Sequence, residues 1–159
     1  MNDAMQRLEE VERKVQQLED ERAIHRTLVR YGFCVDIGDR EATADLYTDD
    51  CVIETDAGGG TTFEGRSGAA ALVDNDVHRS LLPNCAHLMG PLSVEVDGDH
   101  AVAIGYAMVV LRRGDAFTIW RQGCGRWELA KRDGSWRIGH RTSIAMGSAA
   151  AQDILRGGL

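Results

Sequence analysis

Apolar side chains recur every three or four positions along residues 4–36. This spacing is the period of an α-helix with one apolar face, so it predicts a helix over these residues. The charged first part, up to Glu21, holds too few heptads to specify a coiled coil. We therefore expect that part to lie on its own domain or on a neighbouring subunit. The apolar positions are Met5, Leu8, Val11, Val15, Leu18, Ile24, Leu28, Tyr31 and Val35.

Short elements follow this helix. Gly38 interrupts the pattern, and Asp39 is a suitable N-cap for a second helix. Ala57 and the three glycines that follow it, residues 57–60, are interpreted as a loop. No Lys-Ser or Lys-Thr pair follows them to form a phosphate-binding loop. Ser67 is expected to cap a third helix. The predicted elements are a helix over residues 40–46, a strand over 51–55, a hairpin arm over 61–64 and a helix over 68–79.

The second half of the chain alternates apolar and polar residues, which is the period of a β-strand. Asp97-Gly98 and Asp133-Gly134 are typical hairpin turns, and a short tail helix is predicted over residues 149–156. The predicted strands cover residues 86–96, 100–111, 116–131 and 135–146. Helices first and long antiparallel strands afterwards indicate an α+β fold.

The length of 159 residues is typical of one domain. We predict a single domain made of a helical extension over residues 1–20, a core over 21–147 and a tail over 148–159. The net charge of −7 and the pI near 5.2 argue against a nucleic-acid partner or an anionic membrane surface. No apolar run approaches the roughly 20 residues of a membrane span, and the N-terminus does not resemble a signal peptide. We expect a cytoplasmic protein.

The chain has four cysteines, and none of them forms a Cys-x-x-Cys pair. Each lies among apolar or small residues, so we interpret them as small buried side chains. No pair of ligands has the local spacing of a zinc site. We therefore expect no bound metal and no cofactor. The cysteines are Cys34, Cys51, Cys85 and Cys124.

Two residues far apart in sequence are the strongest candidates for chemistry. Asp36 ends the long first helix in an apolar setting, where an unpaired charge is costly. His87 opens the first long strand. If the fold brings them together, the carboxylate fixes the tautomer of the imidazole and makes it a general base. No motif for a nucleophilic serine or cysteine accompanies them, which favours proton transfer over acyl transfer.

Three segments resemble the SnoaL-like branch of the nuclear transport factor 2-like fold. They are the passage from the second helix to the first strand, the first hairpin, and the closing pair of strands. These segments are residues 40–53, 87–103 and 127–138. The resemblance covers residues 20–147 and implies a cone-shaped, curved antiparallel sheet packed on three N-terminal helices.

Within that branch, the chain is most similar to lyases with an Asp–His dyad: scytalone dehydratase, bile-acid 7α-dehydratase and hexachlorocyclohexane dehydrochlorinase. The resemblance implies that Asp36 and His87 form such a dyad. Tyr31 matches a tyrosine of the bile-acid enzyme, and Arg141 matches an arginine of the dehydrochlorinase. Tyr31 replaces the dehydrochlorinase's lysine, which argues against elimination of chloride. The related lyases are trimers, so we expect a homo-oligomer, with a trimer ahead of a dimer.

The last strand presents a choice between two neighbouring residues. Strict alternation places Trp136, Ile138 and His140 on one face and Arg141 on the other. The resemblance places Arg141 in the pocket, where it would stabilise a developing anion. A β-bulge near Gly139 would reconcile the two interpretations.

Other residues are candidates for the pocket wall. Tyr47 is a second candidate phenol beside Tyr31. We expect three other histidines, His25, His78 and His100, to lie at the surface. The remaining wall candidates are Met89, Met108, Phe117, Trp120 and His140.

We consider three functions. The first is a cofactor-independent lyase, a dehydratase of a hydrophobic cyclic hydroxy-carbonyl compound. The second is an isomerase or polyketide-type cyclase with the same dyad. The third is a ligand-binding or accessory subunit without chemistry, because non-catalytic proteins share this fold. The third predicts that His87 is separated from Asp36 or that side chains such as Trp120 fill the pocket.

Overall fold

The computed structural model describes residues 2–159; Met1, the first residue of the predicted extension, lies outside them. The helices are α1 (Asn2–Ile37), α2 (Arg40–Ala44), α3 (Gly65–Asp74), α4 (Asp76–Leu81) and α5 (Ala149–Arg156), with a 3-10 turn at Ala57–Gly59. The strands are β1 (Tyr47–Thr55), β2 (Thr61–Glu64), β3 (Cys85–Asp97), β4 (His100–Arg113), β5 (Ala116–Arg132) and β6 (Ser135–Ala145). The tail helix and the four long strands are confirmed.

The strands form one six-stranded sheet in the order β2-β1-β6-β5-β4-β3. Neighbouring strands are antiparallel except β1 and β6, which run parallel. The sheet is open and curved, and α1 packs across it against β3 and β6. The α+β fold predicted from the sequence is confirmed, with one parallel pairing that the expected antiparallel sheet did not include.

The helical segment after β2 differs from the prediction. Helix α3 starts at Gly65, and its N-cap is Glu64, whose side chain makes no capping bond, so the prediction that Ser67 caps it is wrong. The segment also divides in two at Asn75, which has an extended backbone (ψ 153°) and accepts a hydrogen bond from the His78 amide. Asn is a preferred N-cap because its side chain satisfies a free amide of the new helix. The helical layer therefore contains α4 in addition to the three helices predicted.

The apolar face of α1 divides into two parts. From Ile24 onward it is buried in the core against residues such as Trp127 and Ile138. The earlier part, Met5 to Leu18, leaves its apolar side chains 47–64% exposed. This half of the helix therefore does not pack on its own domain. Contact with a neighbouring subunit, the other alternative, stays a prediction.

Asp20 marks the point where α1 joins the sheet. Its Oδ1 accepts hydrogen bonds from Lys131 Nζ at 2.7 Å and from Trp136 Nε1 at 2.8 Å. Burial alone would raise the pKa of Asp20, but the bonds from Lys131, Trp136 and Gln16 outweigh it and hold the pKa below its usual range. The carboxylate thus ties the helix to β5 and β6 in its charged form. None of the helices in residues 2–159 is long and apolar enough to cross a bilayer.

Candidate active site

Asp36 and His87 meet where the end of α1 crosses the start of β3. Asp36 Oδ1 lies 2.7 Å from His87 Nδ1, and both carboxylate oxygens accept the His87 backbone N–H, at 3.1 and 2.9 Å. Both side chains are largely buried. A proton on Nδ1 is donated to the carboxylate, so the lone pair of the neutral ring is on Nε2. The carboxylate thus holds both the ring and the backbone of His87.

Gly32 allows this approach. It precedes Asp36 by one helical turn, so the two residues share a face of α1. A Cβ atom at Gly32 would lie 2.5 Å from the His87 carbonyl oxygen. Only a residue without a side chain lets the helix pack this closely against β3, and that close packing brings Asp36 within reach of the imidazole.

His87 lines a cavity of about 360 Å³ between the sheet and the helices α1, α3 and α4. A volume of this size is typical of small-molecule sites. Apolar side chains supply much of the wall, and its ionisable groups are two histidines, two arginines and a tyrosine. Residues of the wall include Tyr31, Ile53, Phe63, Leu72, Asn75, Val77, His78, His87, Met89, Met108, Val109, Trp120, Arg121 and Arg141.

Arg141 contributes a buried positive charge to the cavity. Its Nη1 donates a hydrogen bond to the Tyr31 hydroxyl, and its guanidinium lies 4.5 Å from the centre of the Tyr31 ring. Burial alone would lower the pKa of Arg141, but the phenols of Tyr31 and Tyr47 outweigh it and the net pKa is raised. The wall opposite the helices therefore carries a fixed cation.

A β-bulge decides that Arg141 rather than His140 faces the cavity. On β5, Glu128 pairs with His140 and the next residue, Leu129, pairs with Ile138, so Gly139 is an extra residue on β6. The extra residue reverses the alternation beyond it. Arg141 is buried, as Ile138 is. The prediction that His140 lines the pocket is wrong: its Nε2 lies 3.0 Å from Glu54 Oε2, away from the cavity.

Three other predicted wall residues, Met89, Met108 and Trp120, do line the cavity. Two do not. Phe117 is 71% exposed, because a second bulge, at Trp120, changes the alternation along β5. Tyr47 is fully buried behind the wall, edge-to-face with Tyr31 at 6.2 Å between ring centres. Burial is the main cause of its raised pKa.

His78 is the residue that sequence reasoning missed. It was expected at the surface, but it is only 7% exposed and lines the cavity, with its ring centre 5.6 Å from that of His87. Burial, and then the neighbouring His87, lower its pKa, which favours the neutral ring. Asn75 could have indicated this position of His78, because Asn is a preferred N-cap. A new helix that begins after Asn75 places His78 at the cavity, whereas the single helix predicted over 68–79 did not.

Cys85 completes the surroundings of the dyad. It lies two residues before His87 on the same face of β3, and its Sγ is 3.7 Å from Asp36 Oδ1. Burial, and then the charge of Asp36, raise the pKa of the thiol to about 11. The other three cysteines are buried, as predicted.

The comparisons with known proteins agree with this architecture. A family model described as a SnoaL-like domain matches residues 16–142. An NTF2-like protein with a cystatin-like fold from Novosphingobium aromaticivorans is 34% identical over 91% of this chain and 94% of its own, with a TM-score of 0.85. No curated protein matches the chain at a significant level.

Two further solved structures share the fold. A variant of Rv3472 from Mycobacterium tuberculosis, a protein of unknown function, is 27% identical over 85% of this chain and 76% of its own, with a TM-score of 0.74. A Novosphingobium aromaticivorans protein provisionally identified as a scytalone dehydratase is 19% identical over 84% of this chain and 89% of its own, with a TM-score of 0.70. At 19% identity the likeness concerns the fold alone.

Proposed function

This chain belongs to the SnoaL-like domain family, and we propose that it is a cofactor-independent lyase that dehydrates a hydrophobic cyclic hydroxy-carbonyl compound. The observation that carries the proposal is the 2.7 Å contact between Asp36 and His87 in the wall of an apolar cavity. Enzymes, dehydratases among them, occur on this fold. The chemistry itself is argued from the site.

His87 acts as the general base. Its Nδ1–H is held by Asp36, so Nε2 takes a proton from the carbon next to the substrate carbonyl. The electron pair of the broken C–H bond forms the new C=C bond, and the C–O bond of the hydroxyl group breaks. The leaving hydroxide takes the proton from His87 and departs as water, which returns the ring to its neutral form. The Asp36 carboxylate stabilises the imidazolium that exists between these steps.

Arg141 stabilises the negative charge that develops on the carbonyl oxygen. It is a buried cation in the same cavity and is held in place by Tyr31. A fixed donor or charge of this kind contributes about 10²–10³-fold in rate where water is excluded. Positioned proton transfer contributes about 10²–10⁴-fold. The two effects together account for a substantial enzymatic rate without a further reactive group.

The two alternatives make different predictions. An isomerase or cyclase with the same dyad returns the proton to carbon, so the mass of its product equals that of its substrate. A ligand-binding subunit without chemistry predicts a separated dyad or a filled cavity. The short contact and the open cavity favour an enzyme over this second alternative.

The test is a screen of steroid-like and polyketide-like hydroxy ketones, with mass spectrometry to detect loss of one water. With a compound that reacts, His87→Gln and Asp36→Asn are each expected to lower turnover by at least about 10²-fold. His25→Gln is the matched control, because His25 is exposed on α1. Full activity in either dyad variant, with the fold intact by circular dichroism, would refute the assignment. A product of unchanged mass would point to the isomerase or cyclase.

A further inference from the structure

We propose that His78, Cys85 and His87 form a binding site for a thiophilic divalent cation, with Zn²⁺ as the representative ion. One ring nitrogen of each histidine and the Cys85 sulfur all lie within 4.8 Å of one another. Two imidazoles and a thiolate are ligands that Zn²⁺ prefers. The three residues come from α4 and from the start of β3, so no local sequence spacing announces them.

His78 is the first reason for the proposal. Its Nδ1 lies 3.3 Å from the Val73 carbonyl oxygen, which places the proton on Nδ1 and the lone pair on Nε2. That Nε2 is buried and has no hydrogen-bond partner among residues 2–159. A buried acceptor without a partner costs about 1–3 kcal/mol, and a metal ion bound at Nε2 would remove this cost.

The surroundings of the two rings are the second reason. Histidines that bind a metal nearly always donate their other ring N–H to a carboxylate or to a backbone carbonyl. His87 has the first arrangement, with Asp36, and His78 has the second, with Val73. Both rings are thus held in the tautomer that leaves Nε2 free for a metal.

Cys85 supplies the soft ligand. Its thiol donates its proton towards Asp36 Oδ1, 3.7 Å away. A metal ion that binds the sulfur displaces this proton to solvent, so each ion bound releases one proton from Cys85. The negative Asp36 carboxylate beside the three ligands favours the positive charge that enters.

Small side-chain movements would close the site. Bond lengths of about 2.0–2.1 Å to nitrogen and about 2.3 Å to sulfur place tetrahedral ligands roughly 3.5 Å apart. One nitrogen of each histidine ring and the Cys85 sulfur now lie within 4.8 Å of one another, so rotation of the side chains has to bring the two Nε2 atoms and the sulfur to this closer spacing. The fourth position is open to the cavity, for water or for an oxygen atom of a ligand.

The effect of a bound metal on the reaction rests on the proposed function; the binding itself does not. The metal uses the lone pair of His87 that the base requires. A bound ion therefore excludes proton abstraction, and Zn²⁺ acts as an inhibitor that chelation reverses.

The experiment uses the full chain, treated with a chelator and dialysed. Titration with ZnCl₂ in a calorimeter is expected to show one equivalent bound, with proton release visible as a dependence of the heat on the buffer. Co²⁺ is expected to give the near-ultraviolet thiolate band and the visible bands of tetrahedral coordination. Neither measurement needs a substrate, so their failure is distinct from failure of the lyase proposal.

Ligand variants decide between this site and binding elsewhere. Loss of a group that only orients a metal ligand weakens binding by about 10–100-fold. His78→Gln and Cys85→Ser each remove a direct ligand, so we expect each to weaken Zn²⁺ binding by more than this. The controls are His25→Gln, at an exposed position, and Cys124→Ser, whose hydroxyl can keep the bond to the Ala151 carbonyl. Circular dichroism and thermal unfolding monitor the fold. The proposal would be overturned if the parent protein bound no Zn²⁺, or if the His78 and Cys85 variants bound it as tightly as the parent. A Co²⁺ spectrum without a thiolate band would also overturn it.

Discussion

Individual side chains in this protein are held by contacts from distant elements. Asp36 fixes His87 through the ring and through the backbone amide at once. Tyr31 fixes Arg141 in a similar way, with its hydroxyl and with its ring face. His87 and Arg141 thus each have a partner that limits their rotation, as the proposed catalytic roles require.

Arg141→Lys tests the role of the buried cation. A lysine keeps the charge but lacks the planar fork and the stacking on Tyr31. We expect turnover to fall about 10–100-fold, because part of the stabilisation of the developing anion is lost. The measurement is kcat with the compound found in the screen. Arg137→Lys, on the same strand before the bulge, is expected to leave kcat unchanged; an equal loss in both variants would contradict the assigned role.

Pairs of secondary-structure elements determine where those side chains lie. The close approach of α1 to β3 at Gly32 forms the dyad, and the bulge at Gly139 on β6 orients Arg141. These two glycines differ in the space around them. A Cβ at Gly139 would have its nearest neighbours at 3.8 Å, an ordinary contact, whereas one at Gly32 would overlap the backbone.

Gly32→Ala is therefore expected to destabilise the protein and disrupt the dyad. Alanine stabilises a helix by about 1 kcal/mol relative to glycine. Overpacking against the backbone costs about 1–3 kcal/mol, and no rotation of the alanine side chain moves its Cβ away from the His87 carbonyl oxygen. Urea unfolding and turnover are the measurements. The matched control, Gly139→Ala, is expected to change stability by less than about 0.5 kcal/mol. Equal stability of the Gly32 variant and the parent would show that the contact can relax.

Asp20→Asn tests the attachment of α1 to the sheet. The folded-state pKa of Asp20 is lowered, so its charged form stabilises the fold above the unfolded value of about 3.9, and this contribution is lost as pH falls through the lower folded value. We expect the variant to lose about 1–3 kcal/mol at pH 7, because a charge-assisted hydrogen bond is weakened.

The pH dependence of stability distinguishes loss of the Asp20 charge from a destabilisation that does not depend on ionisation. The difference in unfolding free energy between parent and Asp20→Asn is expected to be constant above about pH 5 and to shrink below about pH 4. Glu9→Gln, at an exposed position of α1, is expected to change stability by less than about 0.5 kcal/mol at either pH. A difference that does not vary between pH 3 and pH 7 would contradict the assignment of the charge.

Among residues 2–159, the exposed large apolar side chains include two groups. One patch lies at the end of the outer sheet face, formed by Leu88, Tyr106, Phe117 and Ile119. The other is the stripe of α1 from Met5 to Leu18. The sheet patch draws on three neighbouring strands, so a second copy of the chain can cover it as one surface. A homo-oligomer, with a trimer ahead of a dimer, stays our prediction.

Ile119→Glu tests this assembly. A charge in the middle of a buried apolar interface is costly unless it is paired, so we expect a smaller species by size-exclusion chromatography with light scattering. Val29→Glu, an exposed apolar position on α1 outside the stripe, is the control and is expected to leave the mass unchanged. A parent protein that is already monomeric, or an Ile119 variant with the parent's mass, would show that the patch is not an interface between copies.

The sequence by itself predicted most of the elements and named Asp36 and His87 as candidates for a dyad. The period of α1, the strand alternation and the Asp-Gly turns are local patterns, because each depends on residues within a few positions of one another. They located Asp36 at a helix end and His87 at a strand start. The resemblance of three segments to the SnoaL-like branch supplied the fold.

The tertiary structure decided between the alternatives that the sequence had left open for the cavity wall. The bulges at Gly139 and Trp120 arise from pairing between β-strands, and one extra residue reverses the face of all that follow, so Arg141 turned in while His140 and Phe117 turned out. The break at Asn75 likewise placed His78 beside His87. The face that each of these side chains takes depends on contacts between residues far apart in the chain. The local pattern of apolar and polar residues carries no information about such contacts.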